Sequence, residues 1–442
     1  MKSSVMLPFL LTVAATLAAA AKMSYDGVKV YRVPVGAGAQ VRRVNSIAED
    51  LGLDFWQPAN RKGVFADIQV PPAKVEGFLK GMKGFEVDVL HEDLGKSVEK
   101  EGAFDVYADG SANKTWFKSY HSYNDHLKWL RDLQAQYSNI SEVVSSGRSH
   151  EGNDIAGIHL FGSSGKDNKP AIVFHGTIHA REWIASMVVE YMTYSLVSGY
   201  AENQEIRGFL DKYDFYMFPI VNPDGFKYTQ TTERLWRKNR QPDESSSCVG
   251  RDINRNWPYR WDGPGSSTEP CREDYRGEAA GDGTETKSLS GLLQKVKDRQ
   301  GLKLYIDFHS YSQLLMTREL FPILFGLVEL GARLTNYLVA YGWTCDATPA
   351  NNDELQSLAS GAAEAIRAVH GTTFQTGPIC STIYQTAGNS VDYVADVVKA
   401  DYAFATELRD VGRYGFVLPP NQILPSGEEA FEGVKYLLQN MK

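Results

Sequence analysis

Residues 171–183 read AIVFHGTIHAREW, and this stretch decides the fold. Ala171 to His175 is an apolar run of strand length. A turn carrying His179, Arg181 and Glu182 follows, and a helical pattern then extends from Ile184 to Val197. The same texture recurs downstream. Phe215 to Ile220, Leu302 to His309 and Tyr402 to Glu407 are strand-like, and Leu289 to Val296 has helical spacing. Apolar strands alternating with longer helices imply an α/β architecture, a mixed central sheet with helices on both faces.

In open sheets of this kind, ligands bind beyond the carboxyl ends of the strands. Three strands here deliver a side chain suited to a metal or a proton: His179 with Glu182, then His309, then Glu407. Each alone has an ordinary explanation. An HxxE pair usually lies on a helix surface, His309 reads equally as a hydrogen-bonded core histidine, and Glu407 as a partner for Arg409. Together they read as a catalytic zinc set, two histidines and a glutamate with a fourth position open. Glu407 is then the general base.

Basic groups extend the pattern. RLWRKNR at 234–240 follows the turn Asn222-Pro-Asp-Gly225, and DINRNW at 252–257 sets Asn254 beside Arg255. A guanidinium grips a carboxylate through a planar fork, which is what an enzyme acting at a chain end requires. Solvated surface charge is the competing explanation. It suits Lys238 and Arg240, and suits Asn254 and Arg255 less, because Trp257 flanks them.

The bulk properties fit a soluble globular protein of one large or two smaller domains: 442 residues, 43% hydrophobic, 23% charged. A net charge of −8 argues against a nucleic-acid partner. Residues 1–21 read as a secretory signal, with Lys2, an apolar run from Met6 to Leu17, and small residues at Ala18 to Ala21. The run falls short of the ~20 residues that span a bilayer, so a secreted, extracellular protein without a membrane anchor is expected. In an oxidising compartment the four cysteines, Cys248, Cys271, Cys345 and Cys380, imply two disulfides. Three pairings remain open; joining nearest neighbours closes two short loops, each worth ~3 kcal/mol. No CxxC pair is present, which argues against a cysteine zinc site. Asn113 and Asn139 stand in glycosylation sequons.

Upstream, residues 26–92 show the order β-α-β-β-α-β: Val28–Val33, Gln40–Leu51, Leu53–Trp56, Val64–Val70, Pro72–Met82 and Phe85–Leu90. This is a split βαβ (ferredoxin-like) α+β unit. Residues 93–114 are polar and read as a connector or exposed helix suited to proteolysis.

Seven motifs, HAREW (179–183), NPDGF (222–226), RLWRKNR, DINRNW, DFHSYSQLL (307–315), STIYQTAGNSVDY (381–393) and ELRDVGRYGF (407–416), make the chain resemble the pancreatic-type A/B metallocarboxypeptidases. The resemblance covers most of Trp116 to Lys442. It implies a signal at 1–21, an inhibitory pro-domain at 22–92, a connecting segment at 93–114 and a carboxypeptidase-like catalytic domain at 115–442. It implies one Zn2+ on His179, Glu182 and His309, Glu407 as base, and Arg237 at the developing oxyanion. Asn254, Arg255 and Tyr384 match the clamp on the substrate's terminal carboxylate. Arg181, Arg234, Ser310, Tyr311 and Phe416 match residues of neighbouring subsites. Bridges Cys248–Cys271 and Cys345–Cys380 follow from the same pattern. Val391 stands where B-type enzymes carry an aspartate, so an A-type preference for apolar or aromatic C-terminal residues is expected, with Asp392 in a structural position. The implied partners are peptide and protein C-termini and the chain's own pro-domain, and a monomer is expected. Lys100 and Lys114 are the candidate activation sites.

One stretch departs from the family. Arg318 to Ala340 is an apolar insertion between Leu315 and the pair Tyr341-Gly342. It reads as a translated intron or gene-model error, against a lid loop or a surface excursion. If it folds into the cleft, the chain is a non-catalytic peptide-binding relative. Hydrolysis of N-acyl amino acids is the third alternative.

Overall fold

The computed structural model describes residues 22–102, 104, 107–108, 110, 112–317, 342–345 and 352–442. The leader at 1–21 and the insertion at 318–340 lie outside the described residues.

The N-terminal unit is a four-stranded antiparallel sheet of β1 (Lys29–Val35), β2 (Asp54–Gln57), β3 (Val64–Val70) and β4 (Asp88–His91), in the order β2-β3-β1-β4. Helices Gly38–Asp50 and Val75–Gly81 cover one face. Strand alternation explains why only one face is covered. Tyr31, Val33, Val35, Ala66, Ile68 and Val70 pack on Val41, Val44, Ala48 and Phe78 of the helices. The intervening residues point the other way. Val30 and Trp56 join Tyr311, Phe416 and Val417 in a separate apolar cluster, so this face docks on the rest of the chain. The strand expected at Phe85–Leu90 starts later, at Asp88, because Gly84 turns the chain with φ of 92°.

The connector is less exposed than its composition predicts. Asp93 caps the helix Leu94–Glu99 by accepting from the Lys96 N–H, and Leu94 is buried. Glu101, Tyr107 and Ala112 are buried as well.

The second unit is an eight-stranded mixed sheet. Its strands are β5 (Ser141–Arg148), β6 (Asp154–Leu160), β7 (Ala171–Gly176), β8 (Asp214–Phe218), β9 (Leu302–His309), β10 (Leu314–Thr317), β11 (Gln375–Pro378) and β12 (Tyr402–Glu407). The order is β11-β10-β12-β9-β7-β8-β6-β5, with β12, β9, β7 and β8 mutually parallel at the centre. Those four strands are buried almost throughout, which is why they read as continuous apolar runs. Helices Tyr123–Gln136, Trp183–Gly199, Asn352–His370 and Ile423–Asn440 pack on one face, and Thr284–Gln300 on the other. Register places Glu407 opposite His309 and Phe308 opposite Gly176, so β7, β9 and β12 end at one edge. Cys248 pairs with Cys271 and Cys345 with Cys380.

Candidate active site

β7 ends at Gly176, where a Cβ would meet the Ala185 backbone at 2.8 Å; glycine lets the strand abut the helix Trp183–Gly199. The turn that follows is fixed from outside. Asn222 donates through Nδ2 to the carbonyls of Ile178 and Lys238, and Thr177 donates to the Pro219 carbonyl. His179 and Glu182 are thereby presented at the sheet edge, and His309 reaches the same point from the end of β9.

The three side chains meet. A ligand atom of each of His179, Glu182 and His309 lies within 4.8 Å of the others, and all three residues are buried. His179 Nδ1 is 2.8 Å from Glu182 Oε1, His309 Nδ1 is 3.0 Å from Glu182 Oε2, and the two Nδ1 atoms are 3.2 Å apart. The far nitrogens face carboxylates: His179 Nε2 lies 3.1 Å from Asp252 Oδ1 and His309 Nε2 lies 3.0 Å from Asp307 Oδ2. With a cation at the point where the Nδ1 atoms and Glu182 meet, both Nδ1 atoms would offer lone pairs and each ring would carry its hydrogen on Nε2, toward Asp252 and Asp307. Two lone pairs and a carboxylate directed at one point fit a divalent cation, and nitrogen and oxygen donors without sulfur suit zinc. A second acidic cluster, His159, Asp167 and Asp214, already holds cations: Lys169 Nζ lies 3.0 Å from Asp214 and Arg299 bridges Asp167 at 2.7 Å.

Around the metal set, Glu407 is buried across the edge, and Arg237 donates to Asp252 Oδ2 through Nε at 3.1 Å and NH2 at 2.8 Å. Burial pushes the Glu407 carboxyl up; His309 opposes the shift, Glu182 adds to it and Arg237 opposes it. A buried carboxylate beside a metal set is placed to take up a proton from a bound water. Asn254, Arg255, Tyr384, Val391 and Glu407 line one cavity with His179 and His309. Met316, Ile379, Ile383 and Ala405 supply its apolar wall. Asp392 turns away, accepting from Asn389 Nδ2 at 2.7 Å and the Trp343 N–H at 3.1 Å.

The other sequence-assigned residues sit under the N-terminal unit. Tyr311 donates to Asp67 Oδ2 at 2.6 Å, and Asp67 forms a two-bond pair with Arg32. Trp56 packs on Tyr311 and Phe416. Arg181 stacks on Phe416 and faces Glu273. Ser310 is buried with its N–H directed at Glu182. Arg234 is apart from the cleft cavity. It lies over Trp183, donates to the Phe416 carbonyl and makes a two-bond pair with Glu101 of the connector. Sequence reasoning gave no role to Asp252, Asp307, Glu101 or Asp67. Asp307 had a usable signal, since it shares a strand face with His309 two residues away.

This fold and site define a metallohydrolase built around a two-histidine, one-glutamate centre. The chain belongs to the zinc carboxypeptidase family: residues 126–433 match that family's model and residues 31–101 match the carboxypeptidase activation peptide. It is thus a metallocarboxypeptidase made with an activation domain. Metallocarboxypeptidase A of Arthroderma otae is 47% identical over 436 residues, covering 98% of each chain. Carboxypeptidase A2 of Rattus norvegicus is 34% identical, over 89% of this chain and 88% of the relative. The crystal structure of carboxypeptidase A from Helicoverpa armigera superposes with a TM-score of 0.80 at 26% identity, covering 94% and 98% of the two chains.

Proposed function

We propose that this zymogen yields a secreted carboxypeptidase of A-type specificity, releasing apolar and aromatic residues from peptide C-termini. The observation that carries the specificity is the cavity wall. Val391 and four further apolar residues line it, while the neighbouring carboxylate of Asp392 is committed to the Asn389 side-chain amide and the Trp343 N–H outside it. Burying an apolar side chain there contributes ~1.5–3 kcal/mol, and a lysine would arrive without a counter-charge.

His179, Glu182 and His309 hold the zinc ion, which when bound polarises the scissile carbonyl and acidifies the attacking water. Asn254, Arg255 and Tyr384 hold the terminal carboxylate and so restrict cleavage to the chain end. Glu407 accepts the water's proton and passes it to the departing amine. Arg237, oriented by Asp252, donates to the carbonyl oxygen as negative charge develops there. Arg181, Arg234, Ser310, Tyr311 and Phe416 contact residues farther up the substrate once the N-terminal unit has left. The boundaries proposed are 22–92 for the inhibitory unit, 93–114 for the connector and 115–442 for the enzyme; the zinc carboxypeptidase match lies within the last, and the activation-peptide match runs on to residue 101 of the connector. Secretion is supported by the 21-residue leader and the two disulfides, and a monomer is the expected form.

The test is kcat/KM of the activated enzyme on matched peptides ending in Phe and in Lys. A preference of roughly 100-fold or more for Phe is expected, the scale of an unpaired buried charge; equal hydrolysis overturns the pocket assignment. Intact mass of the protein from culture medium checks the leader and connector boundaries.

A further inference from the structure

β9 alternates faces. Leu304, Ile306 and Phe308 enter the core on one side, and Tyr305, Asp307 and His309 project from the other. Register sets His175 of β7 directly beside Asp307. The preceding same-face residues of β7, Ala171 and Val173, are apolar and packed in the core. A histidine at 175 therefore breaks an apolar row deep in the sheet, where a polar side chain costs free energy unless it is partnered.

Its partners form a line toward the metal set. The Tyr305 hydroxyl meets His175 Nε2. His175 Nδ1 lies 3.3 Å from Asp307 Oδ1, an ion-pair distance, and neither atom has a hydrogen-bond partner among the described residues. Asp307 Oδ2 lies 3.0 Å from His309 Nε2 and accepts from Ser390 Oγ at 2.5 Å. The Ser390 N–H in turn donates to Asn254 Oδ1 at 2.8 Å. The hydrogens are assigned by elimination. Asp307 only accepts, so His175 presents its hydrogen at Nδ1 and its lone pair at Nε2, where the tyrosine hydroxyl donates. Asp307 thus stands between His175 and His309, at ion-pair distance from each.

We propose that His175 is a positioning residue for the metal centre: with Tyr305 it fixes Asp307, which holds His309 with Nδ1 free for the ion. The inference rests on His309 being a zinc ligand. Removing the imidazole takes away the group 3.3 Å from Asp307 Oδ1 that complements its charge; the carboxylate then rotates or draws in water, releasing the orientation of His309. Partners of this kind govern metal affinity by roughly 10- to 100-fold.

The experiment uses the full chain, stripped of metal, with two readouts: the zinc dissociation constant by chelator competition, and the visible absorption of the Co2+ form. His175→Leu is expected to weaken zinc about 10- to 100-fold and to shift the cobalt bands. His175→Asn, whose amide donor stands in for Nδ1–H, restores affinity to within about threefold and returns the bands. Tyr305→Phe weakens zinc about threefold. A leucine variant with a lower melting temperature but wild-type zinc affinity and cobalt spectrum shows a purely structural histidine and overturns the proposal. If the leucine variant does not fold, Tyr305→Phe decides: unchanged zinc affinity overturns the relay. The reading of His309 as a zinc ligand fails separately, by the wild type binding no zinc or by His309→Ala binding it as well as wild type.

Discussion

Two buried polar systems face each other across the cleft, and they are built on opposite principles. At the sheet edge, like meets like: the two Nδ1 atoms of His179 and His309 are 3.2 Å apart, and Glu182 raises the proton affinity of Glu407. Glu182 lies against both rings, and a cation at that point completes the set. At the docking face of the N-terminal unit, opposites meet. Arg32 pairs with Asp67, Asp67 accepts from Tyr311, Arg61 donates to the carbonyls of Thr382 and Ile383, and Arg234 pairs with Glu101. One system is open because it must bind; the other is closed because it must hold the zymogen together until cleavage.

The comparison breaks most visibly at Glu407. Glu407→Gln keeps shape and removes the proton acceptor, so kcat of the activated enzyme falls by roughly 10^2- to 10^4-fold. Zinc content remains at wild-type level, because Glu407 is outside the ligand set. Loss of zinc together with activity would place Glu407 among the ligands and erase the division between holding the ion and moving the proton. Metal analysis and peptide turnover on the same preparation decide it.

The docking face predicts a smaller effect of opposite sign. Asp67→Ala leaves the Arg32 guanidinium and the Tyr311 hydroxyl without their shared acceptor, a loss of about 2 kcal/mol. The intact proenzyme should then show roughly 30-fold more residual peptidase activity, measured before any proteolysis, while the activated enzyme is unchanged. Equal leakage from wild type and variant would mean that the apolar contacts of Trp56 with Tyr311 and Phe416 carry the inhibition alone.

How much of this was legible in the sequence follows from the same contrast. Central strands showed themselves because both faces are buried: β9 and β12 match the apolar runs Leu302–His309 and Tyr402–Glu407 residue for residue. The metal set was legible because its residues sit at strand ends. The short strands at the β11 end of the sheet were not. β11 reads Gln-Thr-Gly-Pro and β10 is four residues long, and neither pattern outweighs its turn residues. Asp67 and Glu101 were invisible for a different reason. Their partners, Tyr311 and Arg234, are 244 and 133 residues away, and an acid in a half-exposed strand or a polar connector looks solvated until the docking is known. Arg234 shows the same limit from the other side: nothing in its motif points to Glu101 of the connector, with which it pairs in the zymogen.

The finest prediction concerns His91, at the rim of the docking face. Its ring packs 5.2 Å from Trp56, its Nδ1 meets Ser97 Oγ at 2.8 Å, and the Tyr414 backbone, Asp410 and Lys100 complete its surroundings. Burial lowers its pKa from 6.5 to about 4, against the pull of Asp410. A released or unfolded N-terminal unit therefore binds this proton more readily than the docked one. Docking is strongest above pH 6.5 and weakens as pH falls toward 4. Asp410 does not compensate, because its carboxylate is already taken by the N–H groups of Gly412, Tyr414 and Gly415. Between pH 7 and 5.5 the loss amounts to about 1 kcal/mol, so activating proteolysis should run several-fold faster at the lower pH. The ratio of wild-type to His91→Gln activation rates, taken at each pH with one protease, cancels the protease's own profile. That ratio should rise on acidification; a flat ratio would show that His91 stays neutral throughout and that the docking face, unlike the metal centre, carries no titrating group of consequence.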